Sequence, residues 1–291
     1  MSALAILARR YPARRVFITG AGSGLGLCLA RRFGAAGWTL GLNDVEPEAL
    51  AQVAAAADPA NPVATYPFDV ADEAAFTAAA ADFLRRYHGV DLVFNCAGIG
   101  GGGLFVDYPL AYWREVLDVN LLGTVLGARA FLPALLAAGR GHIVNVASAA
   151  AFHGLPRLSA YVASKAAVLA FSEVLAAELR GSEVRVSVKM TTFYRDSQIG
   201  RFTRGAPEEQ QLAALLVQQG PISADEAAAE TLRQVAAGRF YIVFPRQARL
   251  LWFFKRHFPS AYLRFIAAFG PKLVARLRQQ ARRASSPTPT P

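Results

Sequence analysis

Cysteine is scarce in this chain, with only Cys28 and Cys96 among 291 residues. Both sit in apolar segments and neither has metal-ligand spacing. A disulfide framework and a metal site are therefore not expected, and a reducing, cytoplasmic setting is. Charge is sparse as well: 18% of residues are charged and 54% are hydrophobic, which excludes a disordered or collagen-like chain and allows a large buried core. Acidic residues vanish after residue 245. Ten of the 31 Lys and Arg lie beyond that point and leave 21 basic and 21 acidic residues before it, so the net charge of +10 belongs to the C-terminal end. The apolar stretch 3–8 has no basic residue ahead of it and runs into Arg9 and Arg10, so it is not expected to act as a signal peptide.

What is present is a regular alternation. Short β-branched or aromatic runs at 16–19, 39–43, 63–68, 92–95, 142–146, 184–189 and 241–244 predict strands, and Ala/Leu-rich stretches at 24–36, 46–56, 72–87, 109–136, 158–180 and 223–237 predict helices. The order implies an α/β fold, a Rossmann-type doubly wound seven-stranded parallel sheet with helices on both faces. The stretch 190–221 holds neither period. With Gly200, Gly205 and Pro207 it is expected to be a mobile loop carrying a short helix at 208–218 and covering a site. The expected organisation is an N-terminal extension at 1–13, a catalytic domain at 14–245, a basic amphipathic helical tail at 246–284 and a disordered end at 285–291.

Thr19-Gly20-Ala21-Gly22-Ser23-Gly24-Leu25-Gly26 follows the first strand and opens the first helix of the alternation, where backbone N–H groups and the helix dipole hold a pyrophosphate. The spacing is Thr-Gly-x-x-x-Gly-x-Gly, not Gly-x-Gly-x-x-Gly, and a tight turn serving only the fold is the alternative. Asp44 ends the second strand, where a carboxylate accepts from adenosine ribose hydroxyls and repels a 2′-phosphate; its alternative is a helix N-cap. Ser23 and Asn43 are neutral where a base would pair with that phosphate, so NAD is favoured over NADP.

Tyr161 and Lys165 stand one helical turn apart on one face, where an ammonium favours phenolate and so suits a general acid/base, although such a pair also occurs on plain exposed helix faces. Ser148 follows the fifth strand, within reach of a substrate carbonyl or as a cap. Asn95-Cys96-Ala97-Gly98 ends the fourth strand, and Asn120 lies within the next long helix, where a purely structural hydrogen bond is its alternative.

Together, the glycine-rich turn, the Asn-x-Ala-Gly segment and Tyr-x-x-x-Lys preceded by Ser resemble the short-chain dehydrogenase/reductase (SDR) family over about residues 14–245. The resemblance implies an NAD-dependent oxidoreductase with Tyr161 as proton donor and acceptor. Lys165 would hold the nicotinamide ribose, Ser148 would orient the substrate oxygen, and Asn120 would position a water. Gly20, Ser23, Gly24, Leu25, Gly26, Asp44, Asp69, Val70, Asn95, Ala97 and Gly98 would form the cofactor pocket. It also implies a homo-dimer or homo-tetramer. Met190-Thr191-Thr192 stands where the family carries Pro-Gly, so Thr191 and Thr192 are the candidate contacts to the carboxamide. The competing reading is a non-catalytic nucleotide-sensing or membrane-associated scaffold of the same fold.

Phe105, Phe152, Leu155, Phe193 and Tyr194 follow strand ends and suggest an apolar pocket for a hydrophobic secondary alcohol or ketone of steroid, retinoid or fatty-chain type; ordinary core positions are the alternative. His153 is expected to be a hydrogen-bonded loop histidine. The tail interleaves aromatic and basic residues without a run long enough to span a bilayer. Peripheral contact with a membrane surface and a hairpin covering the body or a subunit are both open, and nucleic acid is not expected.

Overall fold

Every one of the seven expected strands forms, and period-2 side-chain alternation explains how each serves two cores. The computed structural model describes residues 1–285, with side chains described as far as Ala281. In chain order the elements are α1 (Ala3–Arg10), β1 (Arg15–Thr19), α2 (Gly24–Ala35), β2 (Thr39–Asp44), α3 (Pro47–Ala55), β3 (Val63–Pro67), α4 (Glu73–Tyr87), β4 (Leu92–Asn95), β5 (Gly100–Gly101), α5 (Leu110–Leu117) and α6 (Gly123–Ala137). They continue with β6 (Gly141–Val146), α7 (Ser159–Glu178), β7 (Val184–Thr191), β8 (Thr203–Arg204), α8 (Pro207–Gln218), α9 (Ala224–Ala236), β9 (Tyr241–Phe244), α10 (Arg246–His257) and α11 (Pro259–Ser285).

The main sheet is parallel throughout, in the order β3-β2-β1-β4-β6-β7-β9. On β1, Val16 and Ile18 join a core completed by Leu7 of α1, Leu29 and Phe33 of α2, and Leu232 and Val235 of α9. Phe17 between them faces Phe76 and Phe83 of α4 and Phe131 of α6 on the opposite side. Strand order reverses between β1 and β4, which opens a crevice at the carboxyl ends of the strands.

Local chemistry sets the element ends. Asp72 caps α4 through Ala75 N, and Ser223 with Glu226 closes a reciprocal capping box on α9. The expected helix at 109–136 is interrupted by a π turn, Asp118–Leu122. Within it Asn120 Oδ1 accepts from Ile99 N at 2.8 Å and its Nδ2 donates to Ile99 O at 3.0 Å, while Thr124 Oγ1 donates to Asn120 O, which fixes the backbone there. The run Leu110–Ala137 and α7 are long and apolar enough to cross a bilayer; here Phe131, Leu135, Val168 and Leu175 bury them against the sheet.

β7 runs two residues past its expected end because Met190 and Thr191 stay paired with Val243 and Phe244 of β9. The segment expected as a loop at 190–221 holds a 3₁₀ turn at Gln198–Gly200, then β8 and α8, and β8 pairs with β5. In the tail, α10 sets Trp252 against Phe152 and Tyr241, with ring centroids 6.3 and 4.8 Å away. α11 buries Tyr262, Gly270, Val274 and Ala281, one stripe at helical spacing, and packs against α8. The expected disordered end lies, from residue 286 on, outside the described residues.

Candidate active site

The glycine-rich turn takes its shape from positions that only glycine fits. Gly20 has φ of +64° and Gly24 +49°, in the left-handed region, and a Cβ on Gly26 would stand 2.1 Å from the Gly20 carbonyl oxygen. Ser23 is the N-cap of α2 but makes no side-chain cap bond, so the first N–H groups of the helix face the crevice. Asp44 at the end of β2 accepts from Gly22 N at 2.9 Å and from Glu46 N at 3.2 Å. It therefore braces the turn, while Glu46 holds the N-cap position of α3. Nearby, Arg201 pairs with Glu46 at 2.7 Å.

Gly20, Ser23, Gly24, Gly26 and Asp44 line one cavity of about 440 Å³ at the carboxyl edge of the sheet. Of the expected cofactor residues, Gly20, Ser23, Gly24, Leu25, Gly26, Asp44, Asp69, Val70, Ala97, Gly98, Thr191 and Thr192 stand on its wall, as do Ser148, Tyr161 and Lys165. The groups present suit a dinucleotide. The glycine cradle leaves room for a pyrophosphate, and Thr192 Oγ1 is a buried hydroxyl with no hydrogen-bond partner at the other end.

Ser148 reaches the cavity because β6 ends just before it, and its Oγ accepts from Ala150 N at 3.1 Å, so the capping and site readings both hold. Its hydroxyl also stands beside Tyr161 and pulls the phenol's pKa down. Burial outweighs that effect and holds Tyr161 above its ordinary value. The expectation that Lys165 depresses the phenol is thus not what this geometry produces: Lys165 Nζ donates to Val146 O at 3.0 Å and lies 5.9 Å from the Tyr161 ring centroid. Burial moves Lys165 itself down to about 8.

Four expectations are corrected. Asn120 is fully buried off the cavity wall, its amide bonded to Ile99 and to Ser164 Oγ at 3.0 Å, which is the purely structural hydrogen bonding of its alternative reading. Asn95 lies behind the wall and donates to Asn145 Oδ1 at 2.8 Å. Phe105 is 71% exposed and meets Trp113 edge-on, outside the cavity. Phe152 is core, buried beneath Trp252. Leu155, Phe193 and Tyr194 do line the cavity, and His153 lines it while hydrogen-bonding through Nδ1 to the Tyr262 hydroxyl.

The segment after β7, expected to cover a site, does supply Ile199, Phe202 and Leu216 to the roof; sequence reasoning missed the tail's share, Leu251, Leu273 and Leu277. It also missed Lys189, a buried amine on the wall that donates to Thr191 Oγ1 at 2.9 Å and lies 4.8 Å from the Tyr194 ring centroid. Burial lowers it to about 7. A signal existed, since Ser187, Lys189 and Thr191 interrupt an inner strand of a parallel sheet, where continuous apolar residues are the norm.

The family model for short chain dehydrogenase matches residues 14–203. A 2-dehydro-3-deoxy-L-rhamnonate dehydrogenase (NAD(+)) of a Sphingomonas species is 40% identical over 62% of this chain and 72% of its own length. A putative oxidoreductase SadH of Mycobacterium tuberculosis is 32% identical over 86% of this chain and 93% of its own. Among solved structures, a short chain dehydrogenase/reductase from Burkholderia phymatum in complex with NAD superimposes with a TM-score of 0.75 at 30% identity, covering 82% of this chain and 92% of that one.

Proposed function

The chain belongs to the short-chain dehydrogenase/reductase family, and from that premise we propose that it is an NAD(H)-dependent oxidoreductase of hydrophobic secondary alcohols and ketones. The observation that carries this reading is the meeting of Ser148, Tyr161 and Lys165 on the wall of the cavity that the glycine-rich turn opens. A bound nicotinamide would supply or take the hydride. Gly20, Gly24 and Gly26 would hold its pyrophosphate, Lys165 the ribose beside it, and Thr191 and Thr192 the carboxamide.

The remaining chemistry falls to this chain's own groups. With its pKa raised by burial, the Tyr161 phenol keeps its proton at neutral pH and is poised to give it to a carbonyl oxygen; it takes the proton back in the oxidation direction. Ser148 Oγ orients that oxygen. Lys165, at about 8, remains mostly cationic at pH 7 and, held on Val146 O at 3.0 Å, is placed to bind the ribose hydroxyls rather than to tune the phenol.

The Asp44 carboxylate supports NAD over NADP, because a 2′-phosphate beside it would face a like charge and the adjacent Arg201 is occupied by Glu46. The Sphingomonas relative is an NAD(+) dehydrogenase and the Burkholderia structure is in complex with NAD, which supports this reading, while other solved neighbours are in complex with NADP. Leu155, Phe193, Leu216 and Leu277 give the substrate end an apolar lining, which supports a hydrophobic substrate. Exposed Leu136 of α6 and Val174 of α7 support the expected homo-dimer or homo-tetramer, which sedimentation velocity checks.

The test is reduced-cofactor formation with NAD⁺ or NADP⁺ across a panel of apolar secondary alcohols, for the wild type and Asp44→Ala. Activity with NAD⁺ is expected, with the preference over NADP⁺ shrinking about 10-fold or more in the variant, the scale of one hydrogen bond to a charged group. A wild type that prefers NADP⁺ would overturn the cofactor assignment, and a folded, NADH-binding protein silent across the panel would overturn the substrate class.

A further inference from the structure

We propose that α10 and α11 seat the protein on an anionic lipid surface and that the cavity draws its apolar substrate through this seat. The second half of the statement rests on the function proposed above; the first stands on the helices alone.

The tail has two faces of different kind. Its inner face is committed to the body: Tyr262 bonds His153, and Arg278 lies 3.5 Å from the buried Glu209, which Arg157 also contacts at 2.8 Å. Its outer face is not committed to anything in the described chain. Phe253, Phe254, Phe258, Leu263, Phe265 and Phe269 are each more than half exposed, along α10, α11 and the junction between them. Phe265 and Phe269 stand one turn apart on α11, with ring centroids 5.0 Å apart, and form one exposed stripe.

Charge decides among occupants for this face. Lys255, Arg256, Arg264, Lys272 and Arg276 share the two helices with the exposed rings, and from residue 246 onward the sequence contains no Asp or Glu. A second copy of the tail would bring like charge against like charge. Phosphate-bearing lipid headgroups supply the complementary sign, and the acyl boundary below them accepts phenylalanine rings.

One residue joins this face to the site. Leu273 is 46% exposed beside the stripe and also lines the cavity, and Leu251 of α10 lines it as well. The cavity therefore opens against the same helices that would touch the bilayer, and an apolar alcohol or ketone dissolved there would enter without crossing bulk water.

The experiment is co-sedimentation of the full-length protein with vesicles of phosphatidylcholine alone or containing phosphatidylglycerol, at low and high salt, beside the double variant Phe265→Ser/Phe269→Ser. Circular dichroism and NADH binding confirm that the variant is folded. Expected is binding to the anionic vesicles at least 10-fold stronger than to the neutral ones, weakened by salt, and reduced about 10-fold or more in the variant. A folded wild type that ignores anionic vesicles, or a variant that binds as well as wild type, overturns the proposal. So does a concentration-dependent self-association abolished by the same variant, which would assign the face to a second copy. Because binding is read without turnover, its failure is separable from failure of the enzymatic reading.

Discussion

The two ends of the cavity are built by different means. At the cofactor end the backbone decides: a turn whose glycines have no alternative, strand ends that stop at one edge, and a carboxylate bracing the turn from β2. At the substrate end the wall is assembled from side chains of remote segments, with Leu155 and Phe193 from loops, Leu216 from α8, and Leu273 and Leu277 from the tail. The first kind of wall tolerates little change, and the second can be rebuilt without disturbing the first. Substrate choice is thereby separated from cofactor choice within one cavity.

The largest expected effect tests the point where the two ends meet. Tyr161→Phe should lower turnover roughly 10²–10⁴-fold while NADH binding, measured by fluorescence titration, stays near wild type. Unchanged turnover would remove Tyr161 from its role.

Gly26→Ala strikes the backbone-built end itself. Its Cβ would press on the Gly20 carbonyl, so the unfolding free energy in urea should fall by about 1–3 kcal/mol and NADH binding should weaken sharply. Wild-type affinity in this variant would show that the turn can relax, and the contrast between the two ends would fail.

Lys189 allows a test through pH. Its folded pKa of about 7 lies below the ordinary lysine value of about 10.4, so between those limits the unfolded chain binds the extra proton. The burial cost is therefore full below pH 7 and is relieved as pH rises toward 10. Lys189→Met should be more stable than wild type by roughly 1–3 kcal/mol at pH 6.5, with the gap narrowing by pH 9.5 in urea titrations. Parallel curves would mean that this amine is not the titrating group.

The smallest effect belongs to the roof. Leu277→Ala should shift the KM of bulky apolar substrates by about 3–30-fold and leave NADH affinity alone. A change in NADH affinity would show that the ends are coupled after all.

The same division explains what the sequence disclosed. The glycine-rich turn and the Tyr161/Lys165 pair were legible because each is a local spacing that fixes its own geometry. The strands were legible as periodic apolar runs. Phe105 and Phe152 misled because an aromatic residue after a strand end carries no mark of direction: one points to solvent and the other into the core. Asn120 misled because the atoms that consume its amide belong to Ile99, 21 residues away. β5 and β8 were invisible, since two glycines have no strand signature and their partner lies about a hundred residues on. The tail's inner and outer faces became distinguishable only once α8 and His153 were seen beneath it.

That short β5–β8 ladder ties the segment after β4 to the segment after β7. Gly100 pairs with Thr203, Gly101 with Arg204, and Gly102 N donates to Arg204 O at 2.9 Å. A Cβ on Gly100 would lie 2.3 Å from Thr203 Oγ1, so the fit is specific to both strands. The two segments thus behave as a matched cassette: a graft that imports residues 190–221 from a relative must bring that relative's 99–103 with it, or the seam between the two ends of the cavity will not close.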